Sequence, residues 1–432
     1  MARPSSYSRT IKDTLALKPA DTVMLSPNLA LRRMSGLGMP GAVLLSVTMS
    51  EEGSGTSWHP ESSPIYALMY HGDEWMSMIH GHISLRYTNQ GSSRGDHAID
   101  APNYLMAMTQ RMIGSNTQIM FRSMLSFDKF TEGGSGYPLL LQTGETWNGR
   151  YLFDRQHPHD FFSELSTSLS TEFSESLSGF LYLGYPGEPA IGPPAFMHRL
   201  SAMSNPDAPI THHWQDATHI TFGVATIGIA CGRFKLEGSL FTGAAPDENR
   251  LNFDKPLFDS YSGRISYNPS SETALQFSRA FLKNPDRDFS NEWLSTASAI
   301  YTHVFNSEEE WISNTLVWSS KKSHHSLSEQ QSVLAESEFH FLGNMLYGRF
   351  EYVEKSQAEL VIGFNPLEKE PLKELTFGVN RKLFDLSGVD LDLGIQGTVN
   401  FIPANIAFVY GDEYPKAFEV FLSFHPKMYG LH

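Results

Sequence analysis

The 432-residue chain is expected to be all-β: a single closed antiparallel transmembrane β-barrel of about sixteen strands, with short periplasmic turns and long extracellular loops. Three observations lead there. From Trp75 onward, apolar and polar residues alternate by twos in segments of about ten residues. Short and long connections between those segments then alternate in turn. No stretch approaches the roughly twenty continuous apolar residues of a membrane helix, a limit that leaves strand-built membrane proteins open.

The strands read as follows. In 389–401, Val389, Leu391, Leu393, Ile395, Val399 and Phe401 share one face, while Asp390, Asp392, Gln396, Thr398 and Asn400 share the other. Side chains of a strand point to opposite faces, so the segment has one greasy and one wet surface. Leu165, Leu169 and Phe173 oppose Glu164, Ser166, Ser168, Ser170 and Glu172 in the same way. Leu177, Leu181 and Leu183 oppose Ser176 and Ser178; Phe234, Leu236 and Leu240 oppose Lys235, Glu237 and Ser239. Val333, Ala335, Phe339 and Phe341 oppose Glu336, Glu338 and His340, and Phe418, Val420, Leu422 and Phe424 close the series. One such segment also fits a half-buried strand of a soluble sandwich, so the connections have to decide.

Short turns are expected at Gly114-Ser115-Asn116, Ser174-Glu175, Gly232-Arg233, Asn268 to Glu272, Asn306 to Glu308, Gly343-Asn344 and Leu386 to Gly388. Long loops are expected at 88–102, 128–160, 186–219, 243–259, 284–293, 319–331, 355–372 and 402–415. A membrane barrel sorts its connections in this way, short on one side and long on the other, whereas a sandwich has no reason to. Aromatics also close many strands at the long-loop end on the apolar face: Tyr87, Phe127, Tyr185, Trp318, Tyr352 and Phe401. Phe241, on the polar face, and Arg279, on the apolar one, break that pattern.

Composition narrows the function classes. A net charge of −15 argues against nucleic acid, which is bound by a surplus of Lys and Arg. The single cysteine, Cys231, can form neither an internal disulfide nor a thiolate cage. Residues 1–54 lack the strand rhythm and are expected to be a leader or mobile segment, with the barrel over 55–432. A secretory signal near Met1 is not legible; its weak counterpart is Arg32 and Arg33 followed by GMPGAVLLSV at 38–47.

Candidate chemistry gathers in the long loops 133–160 and 186–219. They carry His157, His159, Asp160, His198, His212, His213, Asp216 and His219. Imidazoles beside carboxylates are ligands for zinc or copper, although no spacing here matches a strong zinc signature and H-E-x-x-H is absent. The competing reading is a constriction loop whose His and Asp residues bond to strand carbonyls and arginines. A softer set lies on the early strands. Met76, Met78, His80 and His82 share a face, joined by Met106, Met108, Met120, Arg122 and Met124; such donors suit Cu(I), though Met also simply fills gaps. Arg86, Arg122, Lys235, Glu237, Arg349 and Glu351 are expected to line a solvated lumen. No nucleophile sits in a recognisable local motif, so no enzyme is expected.

Three segments, 141–162 (LQTGETWNGRYLFDRQHPHDFF), 187–223 and 235–250 (KLEGSLFTGAAPDENR), resemble a group of uncharacterised bacterial outer-membrane β-barrel proteins often encoded near heavy-metal efflux genes. The resemblance spans about Gly55 to Phe424. It implies a barrel in the outer membrane of a Gram-negative bacterium and makes metal ions relevant, but brings no activity with it. The end of the chain departs from the usual assembly signal, since HPKMYGLH follows Phe424. The expected function is a porin-like barrel passing or sensing small polar solutes or metal ions through a lumen narrowed by the two histidine loops. Its alternative is a non-conducting barrel that binds a metal or ligand on the loop histidines. The expected partners are outer-membrane lipid and small polar solutes or metal ions, with no nucleic acid; a homo-oligomer is one open arrangement.

Overall fold

In the computed structural model, residues 41–287, 290–305, 309–323, 326–363 and 365–429 are described. Their strands, in chain order, are β1 (Leu68–His71), β2 (Met76–Gly91), β3 (His97–Asp100), β4 (Asn103–Met112), β5 (Thr117–Leu125), β6 (Tyr137–Trp147), β7 (Arg150–Gln156), β8 (Phe162–Ser174), β9 (Leu177–Gly184) and β10 (Val224–Cys231). They continue with β11 (Phe234–Phe241), β12 (Ser260–Ser270), β13 (Thr273–Lys283), β14 (Asn291–Val304), β15 (Trp311–Lys322), β16 (Gln330–Phe341), β17 (Asn344–Ser356), β18 (Lys369–Asp385), β19 (Val389–Phe401) and β20 (Lys416–Pro426). Each long strand pairs antiparallel with the next, and β20 returns to β2 in the register Ile83↔Phe424 to Gly91↔Lys416. That last pairing closes the sheet, leaving no edge in the membrane.

The closed sheet holds 18 strands among the described residues. Two of them, β1 and β3, pair only with β2 and stop after four residues; subtracting them leaves a sixteen-strand wall. β3 and β4 share one side of β2 and are split at Ala101-Pro102, where proline removes a ladder donor. β6 and β7 form a hairpin of their own inside the loop that links β5 to β8.

The alternation is inverted relative to a soluble protein. Along β19 the buried positions are Asp390, Asp392, Gln396, Thr398 and Asn400, whereas Leu393 and Ile395 are exposed. β16 repeats this, with Glu336, Glu338 and His340 buried. Apolar side chains therefore face outward around the wall, as lipid requires. Turn chemistry supports the register. Phe341 pairs with Asn344 across Leu342-Gly343, and both turn residues have positive φ (48° and 71°), the two-residue geometry that matches strand twist. The expected turn at Asn306 to Glu308 lies outside the described residues.

Two expectations change. Residues 41–54, assigned to the leader, are folded inside the barrel; residues 1–40 lie outside the described residues. Val43, Leu44, Met49 and Trp58 pack with Met108, Met120, Phe180, Tyr182 and Phe241 in one buried cluster. This also bears on Phe241 on the inner face: it is fully buried in that cluster. Some loops are shorter than expected, because strands run on past the apolar rhythm; β15 continues to Lys322 and β16 begins at Gln330. A chain that makes ladder bonds with both neighbours needs no apolar residue at each end of its run.

Leu316 sits mid-strand on the outer face and Leu327 in a loop beyond it, at 54% and 84% exposure. Leu316→Arg should lower unfolding stability in lipid vesicles by about 2–4 kcal/mol, with Leu327→Arg unchanged. Equal effects in urea titrations would contradict a lipid-facing β15.

Candidate functional site

The lumen is filled by three segments. Residues 41–66 enter beside the short turns, and the connections 126–161 and 185–223 fold in from the opposite end. The first is tied by its own acid: Glu52 accepts hydrogen bonds from the backbone N–H of Ala42 (2.6 Å), Val43 (2.8 Å) and Leu44 (2.8 Å). Gln118 of the wall donates to Gly41 O at 2.7 Å, and Ser170 Oγ accepts from Leu45 N at 2.8 Å.

All six residues expected to line a solvated lumen lie on the inner wall, but they are buried and already partnered. Arg86 bonds Asp100 and Asp207 at 2.6 Å each. Arg122 reaches Gly55 O at 3.2 Å and Glu164 at 3.5 Å. Glu237 takes Lys235 at 3.1 Å and Arg264 at 2.8 Å, and Lys235 also donates to Thr56 O. Arg349 pairs with Glu351 at 2.9 Å, and Glu351 accepts Thr211 N and Oγ1 at 2.9 and 2.8 Å. In place of water, these charges meet the inserted segments. Arg199 plays the reciprocal part from the loop side, bridging Glu336 of β16 (2.6 Å) and Asp216 (2.7 Å).

The histidines of the two loops separate into groups. His157 and His159 follow β7; His212 and His213 lie on the helical turn His212–Gln215, and His219 ends the turn Ala217–His219. These five rings form a continuous circuit, with Phe196 packed against His159, His212 and His219. Centroids are 5.8 Å apart for His157–His159, 5.3 Å for His159–His219, 5.2 Å for His219–His212, 5.1 Å for His212–His213 and 5.4 Å for His213–His157. Ligand nitrogens of His157, His212 and His213 all lie within 4.8 Å of one another. Gly144 makes room for this: a Cβ there would sit 2.5 Å from His213 Cε1, on a backbone with φ of +118°. The other two predicted residues go elsewhere. Asp160 is held by Arg250 at 3.1 Å, and His198 packs edge-on against His80 with centroids 5.4 Å apart.

Nδ1 contacts orient the rings. Asp128 accepts His159 Nδ1–H at 2.7 Å, Asp216 Oδ1 accepts His212 at 2.6 Å, and the Asp216 carbonyl accepts His219 at 2.9 Å. Carboxylate and carbonyl partners of this kind fix the tautomer and leave Nε2 as a lone pair. Nε2 of all five histidines is buried without a hydrogen bond among the described residues; the Glu145 carboxylate stands 3.3 Å from that of His157. A buried polar atom without a partner costs about 1–3 kcal/mol, so the four that lack any such neighbour ask for a ligand. The donor set fits zinc or copper.

Burial keeps three of the rings, His157, His213 and His219, in the ligating state. Burial holds His157 well below its ordinary value, aided by Arg250, and does the same to His213, aided by His212. His219 is pushed down to about 3, by burial first and His212 second. Burial opposes the Asp216 carboxylate, but His212 and Arg199 outweigh it and hold the acid well below its usual range. The circuit also links two cavities: His213 lines one of about 130 Å³ toward the long loops, and His159 lines a second of about 200 Å³ in the middle of the barrel.

Comparison with solved structures agrees on the architecture. A daunomycin complex of OmpF from Salmonella typhi superposes with a TM-score of 0.52 at 9% identity, covering 83% of this chain and all of that one. The fold is porin-like. An anion-selective porin from Comamonas acidovorans gives a TM-score of 0.49 at 12% identity, covering 82% of this chain and 99% of that one. No family model matches the sequence, and no curated protein matches it either.

Sequence reasoning missed Asp128 and Glu52, because the first supports a histidine distant in sequence and the second belongs to a segment without strand rhythm. Two outcomes are expected of this site. Arg199→Ala leaves Glu336 and Asp216 buried without their cation, which should cost about 3–5 kcal/mol and expose 185–223 to protease in the folded barrel. The depressed histidines take up protons near 6.5 in the unfolded chain, but His219 only near 3 in the folded one. Stability of the inserted loops is therefore complete above 6.5 and falls as pH drops through that window. Protease cleavage within 185–223 should quicken from about pH 7 to about pH 5; a flat profile would contradict the assignment.

Proposed function

We propose that this chain is an outer-membrane barrel of porin-like fold that captures a transition-metal ion, zinc or copper, inside a lumen closed by its own segments. The observation that carries the reading is the histidine circuit: ligand nitrogens of His157, His212 and His213 lie within 4.8 Å of one another, and Nε2 of His159, His212, His213 and His219 is buried without a hydrogen bond among the described residues, on rings fixed by Asp128 and Asp216. The outward apolar belt supports placement in the outer membrane of a Gram-negative bacterium, where such barrels reside. The resemblance to barrels encoded near metal-efflux genes points the same way. The chain acts by binding, not by catalysis, on this reading. His157, His212 and His213 are the primary ligands, with His159 and His219 completing or exchanging with them.

A second reading, conduction of small polar solutes or metal ions, is favoured by the sixteen-strand wall, which is wide enough for an aqueous channel. It requires the loops to leave the lumen.

The purified, folded chain should bind about one equivalent of Zn²⁺ at the circuit. His157→Ala with His212→Ala and His213→Ala should abolish that equivalent, and Gly144→Ala, which removes no donor, should weaken it about tenfold or more by displacing His213. Full zinc binding by the triple variant would overturn the capture reading. A steady, metal-independent conductance of open-porin size in planar bilayers would replace it with the second.

A further inference from the structure

The central cavity, beyond His159, has a chemistry of its own. β2 and β4 run side by side with His80 opposite Met106 and Met78 opposite Met108, so two inward positions of each strand present imidazole and thioether to the same space. Loop 185–223 adds His198 and Met197, and the segment 41–66 adds His59 and Met49. Three parts of the chain far apart in sequence thus bring soft or borderline donors to one chamber of about 200 Å³.

Packing alone explains this poorly. Methionine fills gaps in a core, yet here the thioethers border open volume. His80 Nε2 stands 3.0 Å from Met106 Sδ, although thioether sulfur is a weak acceptor and a buried imidazole gains little by pairing with it. Tyr104 does not serve as the partner, since its hydroxyl donates to Met197 O at 3.1 Å. The His198 ring closes the third side, 5.4 Å from His80 and 5.3 Å from Tyr104 between centroids.

Charge selects the kind of ion. The donors nearest Met106 are neutral, and the Arg122 guanidinium also borders the chamber. Three carboxyls also line it: Glu52 is taken up by the backbone N–H groups of Ala42, Val43 and Leu44, Asp128 by His159, and burial drives Glu132 well above its usual range. The cost of burying an ion rises with the square of its charge, so such a site disfavours a divalent cation and accepts a monovalent one. Thioether with imidazole is the donor set of d¹⁰ monovalent copper.

We propose that His80, Met106 and His198 form a second metal site, selective for a soft monovalent cation, Cu(I) or its redox-inert counterpart Ag(I), and separate from the zinc-type histidine circuit. Binding here is simple ligation with no change of oxidation state. The site does not depend on His157, His212 or His213, so the two assignments fail independently.

The test uses the full chain folded in detergent, titrated in parallel with Ag(I) and Zn²⁺. Met106→Leu, which conserves volume, and separately His80→Gln should each weaken Ag(I) binding about tenfold or more and leave zinc stoichiometry unchanged. The His157, His212 and His213 triple alanine variant should do the reverse. Unchanged Ag(I) affinity in either folded single variant overturns the proposal, as does loss of Ag(I) binding in the triple variant. Should both single variants fail to fold, X-ray absorption of the Ag(I)-loaded wild-type chain decides: sulfur in the first coordination shell is expected, and a shell of nitrogen and oxygen alone overturns the site.

Discussion

Each strand of this barrel has one face in lipid, and every other feature depends on that constraint. The apolar half of the alternation is committed to the outside, so the interior is built from what remains: Ser, Thr, Glu, Asp, Arg and His on the inner positions of sixteen strands. An open barrel would leave those groups to water. Here, three inserted segments replace the water, and the lumen becomes a packed interior whose contacts are ion pairs and hydrogen bonds at most positions. Since buried polar groups are tolerated only when partnered, the loops have to supply partners for a wall already fixed by the membrane.

This places the histidines in a particular light. Arg86, Arg199 and Arg264 each satisfy carboxylates or carbonyls on opposing segments, and Glu336, Glu338 and Glu351 accept from the loop in return. Within that network the imidazoles stand out by their grouping: five rings follow one another at centroid distances of 5.1–5.8 Å, and ligand nitrogens of three of them lie within 4.8 Å of one another. Structural histidines would be expected to share the habit of their surroundings and find an acceptor. The Nδ1 atoms of His159, His212 and His219 do so, which leaves the Nε2 side as the one reserved for something else.

The wall was legible because its code is local. Period-two alternation and sorted connection lengths need no knowledge of which strand lies beside which, so Val389 to Phe401 and the turn near Gly343 could be read in isolation. The histidine loops were legible as a composition, and five of the residues named from it do meet. Their arrangement was not, because Asp128 and Asp216 come to His159 and His212 through loop folds without periodicity. The inserted segment 41–66 was the main omission. The filling of the lumen was present as an inconsistency: Phe241 on a polar face makes no sense for a solvated wall, and Met120 and Met124 on the inner face of β5 carry the same message. An apolar residue on the wet face of a barrel strand indicates that something other than water is there.

The three insertions are not held in the same way, and that difference bears on how the lumen could open. Residues 41–66 contribute Val43, Leu44, Met49 and Trp58 to an apolar cluster; exposing it to water forfeits hydrophobic contacts that solvent does not return. Loop 185–223 is fastened to the wall chiefly through Arg199, Ser201, Ser204 and Thr211 on wall carboxylates, and water entering the lumen can take over each of those bonds. A buried ion pair gains little over its hydrated halves, so the loop side yields at lower cost than the N-terminal side. Its own apolar anchor, Ile210 and Trp214 against Val353 and Leu372, sits next to His212 and His213. A metal ion that draws His157 toward those two histidines ties the hairpin loop to the helical turn, and so reinforces the insertion that is otherwise the easier to displace.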